Sequence, residues 1–504
     1  MGKFLLLKQK PFSNLIHLGL KLNRKIKGFT TDYNYSAKEN PSLTLEEVEK
    51  YNQHRKMGAN KNICMATKVN MHFCVDGRVM ACCYNKSHSL GNIREQSLHD
   101  IWFGTEKTNF DRLVNVDYHL ESGCYGCKLK IKSGDYASVV AQNYDFHSTK
   151  IKEYPTRMEF ELHNTCNLEC VMCNGDFSSS IRTNRENRPS LPFVYDDSFL
   201  DQLDEFIPHL QYADFIGGEP TLITFYYKIW EKIIEKNPSC LIHIQTNATT
   251  LKSRFKEQLK KGNFEVGLSI DCLNEALAKK IRKNIIWENF SENLKYYLEE
   301  YKNNVLKLTL NFCPMPVNIE EVIPMVRFCN ENRIPIFFCT VLSPYECSFL
   351  SCEERELSQY IVMLEQHPLS GNDYYSKNNL QQLQNFILLL KNYVQIKQTQ
   401  RIRSVALNEG STDSLLAQYH TLMVEKIIHA EKEDICMQLT QYIDKKTQAL
   451  EATIRHQIIL ENYLYLEFIE PIIVEEKYNY LHLAKHHINS FIDYELNKKT
   501  AVEI

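Results

Sequence analysis

Between residues 150 and 345 short strand-like runs alternate with helix-patterned segments, and that alternation constrains the fold more than any other feature. The strand-like runs are Arg157–Leu162, Ala213–Ile216, Leu241–Gln245, Phe264–Ile270, Leu306–Phe312 and Ile334–Val341. Segments of helical periodicity such as Phe225–Ile234 and Leu251–Lys261 separate them. Strands joined through helices predict right-handed βαβ units and a parallel sheet. Six units fall short of a closed eight-stranded barrel, so the expected fold class is α/β, an open, partial (β/α)6 barrel of the TIM type. In such barrels chemistry gathers at the C-terminal ends of the strands. Polar and unusual residues fall at those ends here: a three-cysteine loop, Gly217-Gly218-Glu219-Pro220, Thr246-Asn247, Ser269 with Asp271, and Asn311.

The flanking zones differ in character. Residues 1–50 form a basic leader, with seven Lys or Arg and no acidic residue in the first 30. Its apolar stretch Phe4–Leu7 is too short for a signal-peptide core, and Leu15–Ile26 could form a basic amphipathic helix or a solvated tail. Residues 51–135 are cysteine-rich, with turn signals at Asp76-Gly77 and Leu90-Gly91-Asn92. Residues 346–504 read as almost wholly helical. One apolar stripe there runs through Leu380, Leu383, Ile387, Leu390 and Val394, and a second through Leu416, Met423, Ile427, Ile435, Leu439 and Ile443. Packing within the monomer explains both stripes better than a coiled coil does. His486-His487 reads as a solvated helix face.

With 504 residues the chain exceeds one compact domain, and a formal net charge of −3 gives no sign of nucleic acid or an acidic partner. No apolar run is long enough to span a bilayer. Seventeen cysteines in a long chain without an export signal fit a reducing cytoplasm, where clustered thiols usually mean metal or redox chemistry. Nine of them cluster: Cys64, Cys74, Cys82, Cys83, Cys124 and Cys127, then Cys166, Cys170 and Cys173. Most of the other eight sit singly on apolar segments, where a buried thiol is the default.

The spacing of Cys166, Cys170 and Cys173 is C-x3-C-x2-C, directly after the first barrel strand. Three thiolates in one short loop can ligate three irons of a [4Fe–4S] cluster and leave the fourth open to a ligand. Structural zinc wants four ligands and suits this rhythm poorly. Cys64 and Cys82 bracket a hairpin whose turn is Asp76-Gly77, and Cys124-Tyr125-Gly126-Cys127 completes a set of four. Four cysteines so spaced can hold zinc or an iron–sulfur cluster, and spacing alone leans to zinc for this second set.

The three-cysteine loop followed by Gly-Gly-Glu-Pro at the second strand end resembles the radical S-adenosylmethionine (radical SAM) superfamily. The resemblance implies that Cys166, Cys170 and Cys173 hold a [4Fe–4S] cluster whose free iron chelates S-adenosylmethionine. It places Gly217, Gly218, Glu219 and Pro220 at the methionine amino group. Thr246 and Asn247 match the third-strand motif, with Ala248 in place of its usual glycine. Ser269 and Asp271 match the position that contacts the ribose or carboxylate. Met172 departs from the aromatic many members carry beside the adenine.

The segment from Cys64 to Cys127 is similar to the auxiliary-cluster modules named SPASM and twitch, here placed before the barrel. That implies a second [4Fe–4S] cluster on Cys64, Cys82, Cys124 and Cys127, with Cys82 fitting the spacing from Gly77 better than Cys83. The expected activity is reductive cleavage of S-adenosylmethionine and hydrogen abstraction from a peptide, protein or small-molecule substrate, with a flavodoxin or ferredoxin as electron donor. The competing readings are a zinc-binding interaction protein and a radical SAM fold without catalysis. The expected divisions are 1–50, 51–135, 150–345 and 346–504.

Overall fold

The computed structural model describes residues 43–85, 88–119, 123–132, 134–136, 139–147, 153–367, 369, 371–407, 411–428, 432–468, 472–473, 488–489 and 492–493. The basic leader, including Leu15–Ile26, and the pair His486-His487 lie outside the described residues.

Nine strands form one sheet: β1 (Asn70–Phe73), β2 (Arg78–Met80), β3 (Ser89–Asn92), β4 (Arg157–Phe160), β5 (Tyr212–Phe215), β6 (Leu241–Thr246), β7 (Phe264–Ser269), β8 (Lys307–Phe312) and β9 (Ile336–Phe338). Their order is β9-β8-β7-β6-β5-β4-β1-β2-β3. The six strands β4 to β9 are parallel and neighbour one another in sequence order, as the βαβ reading predicts. The sheet is an open arc with β3 and β9 as its ends.

An unexpected feature is the join between the cysteine-rich zone and the barrel. β1 pairs in parallel with β4, residue for residue from Asn70↔Arg157 to Phe73↔Phe160. β2 and β3 then extend the sheet in antiparallel fashion. The hairpin turns at Gly77, where φ is +88° and a Cβ would meet Asn92 Oδ1 at 2.8 Å, so the glycine is required. The two cysteine-bearing zones therefore share one sheet.

Alternate residues of the strands point outward and form the core beneath the helices. Phe73, Phe160 and Phe215 stack in a row, with centroids 5.2 and 4.7 Å apart, under Phe199 and Trp230 of helices Asp197–Phe206 and Thr224–Lys236. Asp196 caps the first of these helices by accepting from Phe199 N–H. Removing one such ring would cost about 3–5 kcal/mol, because the surrounding aromatics cannot collapse into the space.

Most of the remaining strand positions, on the other face of the sheet, are polar. His72, Glu159, Asp214, His243, Glu265 and Lys307 occupy one cross-strand row. His72 lies 3.3 Å from Glu159 and 3.4 Å from Glu161, Arg157 bridges Glu159 and Asp214, and His243 meets Asp214 at 2.6 Å. Burial alone would raise Glu159, but Arg157 and His72 beside it hold its carboxyl at about 2.

The 34-residue helix Tyr374–Leu407 covers the β9 edge. Asn379 accepts from Ile336 N–H at 3.0 Å and donates to the Ile334 carbonyl at 2.9 Å, satisfying an edge strand that would otherwise be bare. Leu383 and Leu390 of the first apolar stripe are buried in the barrel core beside Phe386. Met423, Leu439 and Ile443 of the second stripe pack in a separate small cluster of C-terminal helices, whereas the side chains of Ile427 and Ile435 are outside the described residues.

Candidate iron–sulfur and S-adenosylmethionine site

The three-cysteine loop leaves the C-terminal end of β4 and is fastened by its neighbours. The Tyr226 hydroxyl accepts from Leu162 N–H at 2.9 Å and lies 2.9 and 2.8 Å from the carbonyls of Phe160 and Ile216. One buried side chain thus ties together the ends of β4 and β5, from which both motif loops depart. Ser179 and Ser180 donate to the Cys166 carbonyl at 3.2 and 2.8 Å. Glu169–Cys170 forms a two-residue antiparallel ribbon with Arg282–Lys283. The Arg185 guanidinium donates to the carbonyls of Cys170 and Cys173.

Gly217 and Gly218 are required by this loop itself. Gly217 has φ +99°, and a Cβ there would lie 2.6 Å from the His163 carbonyl oxygen; at Gly218 it would lie 2.2 Å from that of Thr165. Gly218 N–H and Glu219 N–H donate to those same two carbonyls at 3.2 and 2.7 Å. The glycines therefore press the second-strand loop against the cysteine loop.

Burial raises all three thiols, and with the neighbouring sulfurs adding to it Cys166 stands at about 11 and Cys173 at about 12. Thiols that repel one another as thiolates, with amide and guanidinium groups at their backs, form a donor set that cationic iron would stabilise. Asn247 Nδ2 lies 3.9 Å from Cys166 Sγ, and Arg282 Nη1 lies 3.9 Å from Cys170 Sγ. The residues present fit a cluster.

Glu219 is fully buried and its carboxylate is already hydrogen-bonded. It accepts from Thr221 Oγ1 at 2.6 Å and N–H at 3.1 Å, from Thr246 Oγ1 at 2.7 Å, and from Asn247 N–H at 2.7 Å. Three of these donors converge on Oε1 and only Asn247 N–H reaches Oε2, so Glu219 locks the second and third strand ends together while Oε2 keeps capacity for a further donor. Pro220 opens the short turn Pro220–Leu222. Asn247 also donates to Asn167 at 3.2 Å, next to Cys166. Ala248 has φ +59°, which explains why glycine is usual at that place. Ser269 accepts from Gln245 at 2.6 Å, and Asn311 donates to the same Gln245. Asp271 is buried and paired with Arg282 at 2.7 Å, and it accepts from Cys313 N–H at 2.9 Å.

Sequence reasoning misses Arg282, Arg185, Asn167 and Thr221. Asn167 and Thr221 adjoin recognised motifs, and that adjacency is the one signal that could have found them. Arg185 and Arg282 carry no such signal, because a lone arginine on a polar segment reads as a solvated cation. The ribbon that brings Arg282 against Cys170 is what gives it meaning.

Cys64, Cys82, Cys124 and Cys127 are brought together by three separate segments. Burial raises Cys64, Cys82 and Cys124, and repulsion within the set of four raises each further, Cys82 to about 12. Asn115 clamps the Cys64 backbone, accepting from its N–H at 3.0 Å and donating to its carbonyl at 3.1 Å. Asn85 Nδ2 lies 3.6 Å from Cys124 Sγ. Cys83 N–H donates to Glu159 at 3.1 Å, and burial, then Glu159 and Cys82, raise its thiol. Cys74 is buried at the end of β1 beside His72. Among the described residues no group of three or more His, Cys, Asp or Glu is close enough to clasp a single ion, so both cysteine sets are looser groupings.

Residues 160–329 match the Radical SAM superfamily, and residues 64–128 match the SPASM iron–sulfur cluster-binding domain. The SPASM match thus lies N-terminal to the Radical SAM match. These domains imply a [4Fe–4S] cluster with S-adenosylmethionine and auxiliary iron–sulfur binding, respectively.

Among curated proteins, an uncharacterized protein of Methanocaldococcus jannaschii is 30% identical over 116 residues, 22% of this chain and 36% of that protein. GTP 3′,8-cyclase of Helicobacter pylori is 25% identical over 224 residues, 41% of this chain and 64% of the relative. The chain thus spans about a third to two thirds of the length of these relatives. Among solved structures, anSMEcpe with bound AdoMet shares 18% identity at a TM-score of 0.33, covering 42% of this chain and 58% of that one. Streptococcus suis SuiB bound to S-adenosylmethionine shares 20% at 0.32, covering 51% and 61%.

Proposed function

We propose that this protein is an enzyme that cleaves S-adenosylmethionine reductively and uses the resulting radical to take a hydrogen atom from a peptide or protein. The observation that carries the reading is the gathering of Cys166, Cys170 and Cys173 against the Gly217-Gly218 loop and Asn247 at the C-terminal ends of parallel strands. When bound, the cluster and S-adenosylmethionine supply a 5′-deoxyadenosyl radical, and the protein's part is to bind and orient.

In this reading Cys166, Cys170 and Cys173 hold the catalytic [4Fe–4S] cluster. Gly217, Gly218 and Pro220 shape the cofactor cradle, and Thr246, Asn247 and Ser269 line it. Glu219 and Asp271 act through the groups they fix: Glu219 sets Asn247, and Asp271 sets Arg282 behind Cys170. Cys64, Cys82, Cys124 and Cys127 hold an auxiliary cluster. A peptide or protein substrate is favoured because SPASM-type modules accompany such modification, and the sheet is an open arc instead of a closed barrel. A flavodoxin or ferredoxin in the cytoplasm would supply the electron. The domain limits proposed are 51–135, 150–345 and 346–504, with 1–50 as a leader.

The test is 5′-deoxyadenosine formation by anaerobically reconstituted protein given S-adenosylmethionine and a strong reductant. The wild type should form it and the triple Cys166, Cys170, Cys173→Ala variant should not. Equal amounts from both would sink the reading.

A further inference from the structure

Two cysteines outside both sets come together at the barrel mouth. Phe312 of β8 and Phe338 of β9 are register partners whose rings pack outward, 5.5 Å apart, and Phe338 meets Phe386 of the covering helix. Strand alternation carried one residue past each strand end turns the next side chain to the opposite face. Those residues are Cys313 and Cys339. Cys339 N–H donates to the Phe312 carbonyl at 2.8 Å, which holds the two chain ends in step. Adjacent strands lie about 4.8 Å apart, within the range of about 4.4–6.8 Å between Cα atoms that a disulfide spans.

A chain of contacts links the Cys313 backbone to the three-cysteine loop. Cys313 N–H donates to Asp271, Asp271 pairs with Arg282, and Arg282 reaches Cys170 Sγ. Cys339 is exposed, unlike the buried Cys240, Cys272, Cys329, Cys347, Cys352 and Cys436. Nothing in the sequence separates Cys313 and Cys339 from those buried thiols. A hydrogen bond between the two thiols raises Cys313 well above the ordinary thiol range and lowers Cys339.

We propose that Cys313 and Cys339 form a hydrogen-atom donor site for a radical generated at the barrel mouth. This rests on the radical SAM reading above. Cys339 breaks its S–H bond and gives the hydrogen atom to a carbon radical, forming a C–H bond and leaving an unpaired electron on its sulfur. Once Cys339 carries the unpaired electron its sulfur no longer accepts the hydrogen bond that held the Cys313 proton; Cys313 then loses that proton to solvent, the two sulfurs join, and the one surplus electron passes to a one-electron acceptor of the iron–sulfur class. The sum is one carbon radical and two thiols converted to one C–H bond, one disulfide, one proton and one electron. A small-molecule dithiol resets the pair by thiol–disulfide exchange, supplying two electrons and two protons.

The experiment uses full-length, cluster-loaded protein in D2O with S-adenosylmethionine and dithionite, free of added thiol and without substrate. Thiols exchange to S–D, so uncoupled turnover in the wild type should give 5′-deoxyadenosine carrying one non-exchangeable deuterium. Differential alkylation afterwards should find a Cys313–Cys339 disulfide, lighter by two hydrogens than the dithiol. Cys339→Ser should keep 5′-deoxyadenosine formation and lose most of the deuterium. Cys313→Ser should keep the deuterium of a first turnover and form no disulfide. Unlabelled 5′-deoxyadenosine from the wild type, or undiminished label in Cys339→Ser, overturns the proposal while the radical SAM reading stands. Absence of 5′-deoxyadenosine from iron-loaded wild type overturns both.

Discussion

The two cysteine sets are built by opposite means. Cys166, Cys170 and Cys173 lie within one loop between a strand and a helical turn, and the fold's task is to press that loop against neighbouring strand ends. Cys64, Cys82, Cys124 and Cys127 come from three segments up to 63 positions apart, since 127 − 64 = 63. They meet only because a hairpin, a helix start and Asn115 hold those segments in place. A local site should survive perturbation of distant structure, and an assembled one should report on it.

The largest effect expected is the loss of 5′-deoxyadenosine in Cys170→Ala, with the far-ultraviolet circular dichroism unchanged because the ligands serve chemistry more than folding. Cys124→Ala should do the reverse in emphasis: bound iron falls, the thermal midpoint of the holoprotein drops, and proteolysis increases between residues 64 and 127. Equal thermal loss in both variants would erase the distinction.

Next in size is Asp271→Leu, which leaves Arg282 buried without its partner and should cost about 3–5 kcal/mol. Chemical denaturation of the apoprotein measures it, and the loss should be absent in the double variant Asp271→Leu, Arg282→Met if the unpaired charge is the cause.

The interior charge row links the two regions and gives a pH dependence. Burial opposes charge on His72, but Cys74, Glu159 and Glu161 raise its pKa well above the ordinary value. Its contribution is fully present below the unfolded value of about 6.5 and is lost as pH rises through the higher folded value. Glu159, held at about 2, contributes above its unfolded value of about 4.3 and loses that contribution as pH falls toward the folded one. Thermal midpoints should therefore decline on both the acid and alkaline sides, and His72→Gln should flatten the alkaline limb. The smallest effect is Ala248→Gly, which relieves the left-handed backbone at φ +59° and should stabilise by about 1 kcal/mol or less.

Local features are legible in the sequence and distant pairings are not. All six barrel strands can be read from it to within a few residues, because each is a short apolar run between turn or helix signals. The three-cysteine loop, the double glycine and the Asp76-Gly77 turn are visible for the same reason. The pairing of β1 with β4 leaves no such trace, since either strand would look the same beside another partner. Nor can the sequence tell that Glu219 would accept from Thr221, Thr246 and Asn247 together, or that Cys313 and Cys339 would be neighbours while Cys329 is buried.

The union of β1 with β4 also makes the two regions hard to separate. A fragment beginning at residue 150 would expose the full hydrogen-bonding ladder of β4, from Arg157 to Phe160, with apolar Met158 and Phe160 alongside. Such a bare margin is a template for strands of other molecules. The N-terminal hairpin thus acts as a built-in guard against self-association, and a shortened gene product would be expected in inclusion bodies before its catalysis could be assayed.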